Sequence, residues 1–509
     1  MARLNAACRA ADCGRSAAEV RPRANRRVRA AAPVLPLVLL LLAGCTLTAP
    51  EPPTISVAAP AASRTIVSPE SSVGAREHPR ILAAYGGVYS DPKVEAAVAR
   101  VVGRLVAASD DPTRTYRVTI LNSPTVNAFA LPGGYVYVTR GLLALAEDSS
   151  EVAAVLAHEM GHITAQHAFA RQQRAEAAAV VSRVADAVRD STAAKSAVAT
   201  AQLSLARFSQ AQELEADSIG VRTLARAGYD PFAAARFLTA MGKFSALNAS
   251  RQSAGSNRPD FLSSHPATPE RIELATREAR QFAGTDVGEQ DRDAYLRDLD
   301  GMLYGDDPRE GFVRGTSFQH SVLGIAFTVP QGFTLDNTPR AVLASDGGRI
   351  AMRFDGIDVP GAMSLPDYLR SGWVKGLIED SIRTTNMNGL PTATAAAISD
   401  GWSFRIALVR TPTRTYRFIF ATASPSPDFE RAFSDTLASF HQLTAEERAT
   451  LKPLRIRVIR TGPTDTIDTL AMRMKGSTGA YARDLFTVLN QIDPAVQIPP
   501  GTLVKIVGD

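Results

Sequence analysis

His158-Glu159-Met160-Gly161-His162 sets two imidazoles four positions apart with a carboxylate beside the first. On a helix, residues i and i+4 lie about 40° apart around the axis and about 6 Å apart along it. Two imidazoles so placed can reach one ion at about 2.0–2.1 Å. Glu159 then stands close to a water on that ion without ligating it, which makes it a candidate general base. The plain alternative is a surface helix that happens to carry two histidines. It fits poorly, because Val152, Val155 and Leu156 make this helix apolar, and its histidines would be buried without a partner.

A catalytic zinc wants a third protein ligand and one open position. The three cysteines, Cys8, Cys13 and Cys45, all lie in the first 45 residues, so a later metal site must use His, Asp or Glu. Some 50 residues downstream, Gln212-Glu213-Leu214-Glu215-Ala216-Asp217 puts Glu213 and Asp217 on one helical face and turns Glu215 elsewhere. Spacing alone leaves two readings open, a ligand-bearing face and a solvated acidic one.

His158 to His162 followed by Glu213-x-x-Ala216-Asp217 resembles the HtpX/BepA-like zinc metallopeptidases, gluzincins related to the CAAX prenyl proteases. The resemblance runs over about residues 80–275. It includes Asn127-Ala128-Phe129-Ala130-Leu131-Pro132-Gly133-Gly134 and Val138-Thr139-Arg140-Gly141-Leu142-Leu143. It implies one Zn2+ per chain, held by His158, His162 and Glu213, with Asp217 orienting a ligand histidine. It also implies that His265, in Ser264-His265-Pro266-x-Thr268-x-x-Arg271, approaches the zinc as a reversible fourth ligand or touches the reacting carbonyl. The bland alternative is a turn histidine ahead of a helix starting at Pro269. Arg271 would support that loop or neutralise a carboxylate. Gln210 stands where the family often has Arg.

Asn127, Ala128, Phe129 and Ala130 resemble the edge strand on which zinc peptidases lay their substrates, although a simple hairpin would look the same. His167 follows His162 by five residues, which turns it off the ligand face. It reads as structural or as a support for a ligand. His78, His320 and His441 have no metal spacing.

The elements that must position these groups belong to an α+β multidomain chain. Residues 76–300 read as a mainly helical zincin-type domain with a small sheet. Tyr116 to Leu121 alternates like a half-buried strand, and Asn127 to Leu131 and Tyr135 to Thr139 flank a Pro-Gly-Gly turn. Asp148 with Glu151 has capping-box spacing ahead of the His158 helix. A long helical stretch is expected over 172–228, whose Ala-rich part (172–205) could be a lid over the cleft. Asp230-Pro231 starts another helix. Residues 311–445 read as an α+β domain faintly similar to PsbP-like domains, with strands near 324–329, 349–354, 401–409 and 415–422 and helices near 365–378 and 427–440. Residues 453–509 resemble a LysM-like βααβ module.

Residues 1–30 carry eight arginines against two acids, so the net charge of +5 becomes −1 for the remainder, which argues against a nucleic-acid partner. This basic front, the apolar Val34 to Ala43 and then Leu42-Ala43-Gly44-Cys45 read as a signal peptide with a lipobox, Cys45 taking the lipid. Residues 46–75 read as a flexible linker. Together these features point to a periplasmic zinc endopeptidase of the bacterial envelope, anchored by lipid to the outer rather than the inner membrane. Its partners would be misfolded or unassembled protein substrates, with peptidoglycan reached through the C-terminal module. The rival reading is a chaperone or assembly lipoprotein whose metal site is latent.

Overall fold

The computed structural model describes residues 55–57, 69–168, 170, 208–251, 261–282, 291–476 and 479–509. The signal peptide, Cys45, most of the expected linker and the Ala-rich stretch 172–205 lie outside the described residues.

Pro132-Gly133-Gly134 joins β3 (Ala128–Leu131) to β4 (Tyr135–Thr139) as an antiparallel hairpin, with Ala128 opposite Val138 and Leu131 opposite Tyr135. Gly134 has φ +83° and would drive a Cβ to 2.2 Å from the Thr115 carbonyl, so only glycine fits this turn. β4 pairs in parallel with β2 (Tyr116–Leu121), and β1 (Ile55–Val57) completes the order β1-β2-β4-β3, leaving β3 at an edge.

β2 is buried along nearly its whole length rather than on alternate residues. Both faces of the sheet are covered. On one side, Ile81, Leu82 and Tyr85 of α1 (Pro69–Ala84) or just beyond it meet Leu121, Tyr135 and Tyr137. On the other, Val118, Ile120, Val136 and Val138 join the core of α2 (Pro92–Ala108) and α4 (Ser149–Thr164). Thus the last residues assigned to the linker start a helix, and three earlier ones form β1.

α3 (Arg140–Leu145) leads into α4 (Ser149–Thr164), which is buried from Ser149 through His162. Asp148 caps α4 by accepting the Glu151 N–H at 2.8 Å. The expected reciprocal bond is absent among the described residues, because Glu151 accepts instead from the Glu147 N–H at 2.9 Å. Of the long helix expected over 172–228, the described part is α5 (Gln210–Arg226), which opens on a Ser209–Gln212 capping box. After Asp230-Pro231 come α6 (Ala233–Arg251), α7 (Phe261–Ser264), α8 (Pro269–Phe282) and α9 (Arg292–Leu299).

β5 (Leu303–Tyr304) is followed by a β-rich domain. Its strands are β6 (Phe312–Arg314), β7 (Ser317–His320), β8 (Ile325–Thr328), β9 (Thr334–Thr338), β10 (Ala341–Ser345) and β11 (Ile350–Ile357), then β12 (Leu377–Met387), β13 (Leu390–Ser399), β14 (Trp402–Arg410), β15 (Thr415–Thr422) and β16 (His441–Gln442). They form a seven-stranded antiparallel sheet, β12-β13-β14-β15-β11-β10-β9, and a four-stranded one, β16-β8-β7-β6. Their shared core is aromatic, with Phe354 and Phe418 touching each other and both Phe327 and Phe440, and α11 (Pro427–Ser439) packs on it. The helix expected over 365–378 stops as α10 (Leu365–Arg370). Gly372 and Gly376 have φ +93° and +71°, and β12 begins at Leu377.

After α12 (Ala445–Thr450), the C-terminal unit runs β17 (Leu454–Arg460), α13 (Ile467–Ala471), α14 (Gly479–Leu489) and β18 (Leu503–Gly508). β17 pairs with both β18 and β5, so this sheet is continuous with the end of the helical region. No helix among the described residues is long and apolar enough to cross a membrane.

Candidate metal centre

The i, i+4 spacing brings His158 and His162 Nε2 to 3.1 Å from each other on α4. α5 reaches them because the two helices touch through glycine. A Cβ at Gly161 would lie 3.1 Å from the Ala216 carbonyl, and one at Gly220 would lie 3.2 Å from the His158 nitrogen. This close approach delivers Glu213, whose carboxylate lies 3.6 Å from His158 Nε2 and 3.5 Å from His162 Nε2. From beyond α7, His265 Nδ1 comes within 2.9 and 3.0 Å of the two Glu213 oxygens and 3.3 Å of His158 Nε2.

Four donors bound at about 2.0 Å in a tetrahedron are about 3.3 Å apart, and the separations here, 2.9 to 3.6 Å, bracket that edge. All four side chains are 5% exposed or less. Burial holds His158 and His162 below the ordinary imidazole range, so they are neutral and turn lone pairs inward. Burial also raises Glu213, against the pull of His158 and Arg271. A buried pocket of facing lone pairs and one carboxylate is a poor hydrogen-bonding arrangement and a good cation site. The residues fit a zinc ion.

The supports are equally buried. Asp217 Oδ1 lies 2.9 Å from His158 Nδ1, which leaves Nε2 to the metal side. Arg271 grips Asp217 with two bonds of 2.7 and 2.8 Å, sits 2.8 Å from Glu213 and donates to the Pro266 carbonyl at 3.0 Å. Burial pushes Asp217 up, but Arg271 and His158 outweigh it and bring it down to about 2. The one arginine therefore ties Glu213 and Asp217 of α5 to the loop carrying His265.

His167 does not face away. α4 ends at Thr164, Gln166 has φ +54°, and the turn swings His167 back until its Nδ1 is 2.8 Å from His162 Nδ1. Its Nε2 lies 3.2 Å from Glu215, the acid that helical periodicity directs off the Glu213 face. Two aromatic contacts escaped sequence reasoning. Phe208 stacks on His162 at 4.1 Å and Phe261 on His265 at 4.6 Å. Nothing in their local sequence distinguishes them from core residues.

Glu159 is 1% exposed, and its Oε1 has no hydrogen-bond partner among the described residues. Burial raises its pKa well above the usual carboxylate range, and Glu213 adds to this, while the Ala130 backbone N–H bonds it and lowers it. His265 Nε2 is the neighbouring ring nitrogen, at 3.7 Å. Asn127, just before β3, and Ala128 on it are buried, at 4% and 0%, whereas Phe129, Ala130 and Leu131 are partly exposed. Phe129 stacks on Tyr137. The accessible edge next to Glu159 therefore begins at Phe129 and not at Asn127.

Residues 92–279 match the model described as peptidase family M48. The beta-barrel assembly-enhancing protease of Escherichia coli strain K12 is 29% identical over 217 residues, covering 41% of this chain and 43% of that protein. The protein of the same name from Yersinia pestis is 30% identical over 202 residues, covering 38% and 40%. The mitochondrial metalloendopeptidase OMA1 of Schizosaccharomyces pombe is 32% identical over 175 residues, covering 34% and 50%. The matches thus span half or less of these relatives' own length. The buried cluster of His158, His162, Glu213 and His265 lies inside or beside the helices of the matched span, and residues 92–279 are similar to the metallopeptidases of family M48.

Proposed function

We propose that this protein is a zinc endopeptidase of the bacterial envelope that cuts misfolded or unassembled periplasmic and outer-membrane proteins. One observation carries the reading: four buried donors converge beside a buried carboxylate, Glu159, whose Oε1 has no partner among the described residues. The names of the Escherichia coli and Yersinia pestis relatives support the substrate class. Bound zinc would supply Lewis acidity toward a water and toward the scissile carbonyl. Glu159, its affinity for a proton raised by burial, takes the proton of that water and returns it to the leaving amine. The edge Phe129–Leu131 aligns an extended substrate through backbone pairing, which asks little of its sequence. Arg271 and Asp217 hold the ligand geometry.

Lipid on Cys45 would keep the enzyme at the outer membrane, and the C-terminal module would bring it to peptidoglycan. The test is zinc analysis with cleavage of an unfolded protein such as casein by the purified chain. Glu213→Gln is expected to reduce bound zinc from about one per chain to a small fraction and to abolish cleavage. Full zinc occupancy in that variant removes Glu213 from the ligand set.

The second reading, a chaperone or assembly factor with a latent site, is favoured by the closeness of His265 Nδ1 to Glu213 and His158, from which it would fill the fourth position on a bound ion. A substrate carbonyl needs that position, so the Ser264–Pro266 turn must withdraw before catalysis. His265→Ala is expected to change casein cleavage upward by roughly 10-fold if the histidine only blocks the site, since the closed state then carries no penalty. A fall of similar size, measured under the same conditions, would instead show that His265 contacts the reacting group.

A further inference from the structure

The C-terminal unit does not hang from the rest of the chain. Lys505, on β18, is fully buried in the helical domain, where its ammonium donates to the Ala144 and Ala146 carbonyls at 2.8 and 2.7 Å. These carbonyls close α3, and the same ammonium lies 2.9 Å from Glu147. From the turn after α14, Gln491 donates to Glu151 at 2.7 Å. Arg292 bridges the two regions, bonding Glu147 at 2.7 Å and the Leu503 carbonyl at 2.9 Å. Ile456 and Leu503 share one apolar core with Val152 and Leu156 of α4. Apart from the Arg292–Leu503 bond, these polar contacts fall on residues 144–151, the segment that enters the helix bearing His158, Glu159 and His162.

We infer that the C-terminal βααβ unit is an intramolecular clamp, in which Lys505 and Gln491 are positioning residues that fix the start of α4. One end of α4 is set by close packing on α5, Gly161 against Ala216 and Gly220 against His158. The other end is set from a segment more than three hundred residues away, at separations of 340 to 361 positions. A buried ammonium satisfied by carbonyls and a carboxylate tolerates little displacement, because sliding α4 along its axis would strand those groups in a dry site. The tail would thus bear on turnover as well as on attachment, a consequence that rests on the peptidase reading. The clamp itself does not.

The test uses full-length chain and Lys505→Met, which keeps the stem and deletes the charge. Hydrogen exchange of the metal-free protein is expected to quicken on the order of 10-fold at residues 149–157. In the zinc protein, kcat on casein should fall on the order of 10- to 100-fold with KM nearly unchanged. Adding Glu147→Gln removes the stranded carboxylate, and the double variant is expected to recover most of both losses. Unchanged exchange at 149–157 in Lys505→Met overturns the clamp. If that variant does not fold, Gln491→Ala decides by the same readout: faster exchange supports the clamp and unchanged exchange overturns it. Altered exchange in a chain that never cleaves casein counts against the peptidase reading and leaves the clamp standing.

Discussion

Glu159→Gln is expected to lower casein cleavage by about 10²- to 10⁴-fold while zinc stays at about one per chain. The amide fits the same space, and the Ala130 N–H can still donate to its oxygen. What disappears is the ability to accept a proton. Glu159 lies beside the donor cluster without being one of its four members, so the substitution separates chemistry from metal retention. Glu213→Gln acts on the opposite side, by loss of the ion. The pair is informative because a chaperone with a latent site predicts a different pattern. Its cellular function would survive Glu159→Gln and fail only if zinc loss unfolded the domain. Undiminished casein cleavage by the Glu159→Gln chain, measured alongside metal content, would leave Glu159 without a role in the reaction.

How far sequence reveals such a site depends on whether its geometry is local. The His158–His162 pair is one helical turn, and periodicity gives its facing directly. Glu213 was left undecided by spacing because its approach to α4 depends on Gly161 and Gly220, a tertiary contact between helices about fifty residues apart. His167 supports a ligand, as its sequence position suggests, but its direction was not legible, for a local reason. Extending the helix past Thr164 rotates it away, whereas the left-handed Gln166 turns it back. Asn127 and Ala128 read as an open edge, yet the core covers them, and edge strands announce neighbours in space only weakly.

The fold shows the same division. The Pro132-Gly133-Gly134 turn and its flanking strands follow from residue type, and so do β17 and β18. β2 alternates in sequence but is buried on both faces, because α1 covers the side that alternation assigns to water. β12, largely polar, and β13, rich in Thr and Ala, carry little apolar signal and emerge through antiparallel pairing with neighbours. Lys505 is the clearest case. A lysine in an amphipathic C-terminal strand reads as solvated, and only long-range packing buries it completely.

Arg271→Met is the second large effect, and its direction differs with and without metal. Arg271 is 2% exposed and is shared by Asp217 and Glu213, both buried. Removing it strands two carboxylates, a change that typically costs about 3–5 kcal/mol. For a domain of this size that corresponds to roughly 10 °C in Tm. A divalent cation beside Glu213 supplies charge that the arginine no longer provides. The loss should therefore be greatest in metal-stripped protein and partly reversed by zinc. Thermal unfolding with and without a chelator is expected to show a wider zinc-dependent gap in Arg271→Met than in the parent chain. Zinc affinity should still fall about 10- to 100-fold, because Asp217 loses the grip that aims it at His158. Arg271→Lys sharpens the argument: it keeps the charge but cannot make the two-pronged contact, so it should recover more stability than zinc affinity. Equal unfolding temperatures for Arg271→Met and the parent under chelation would show that the buried acids do not depend on this arginine.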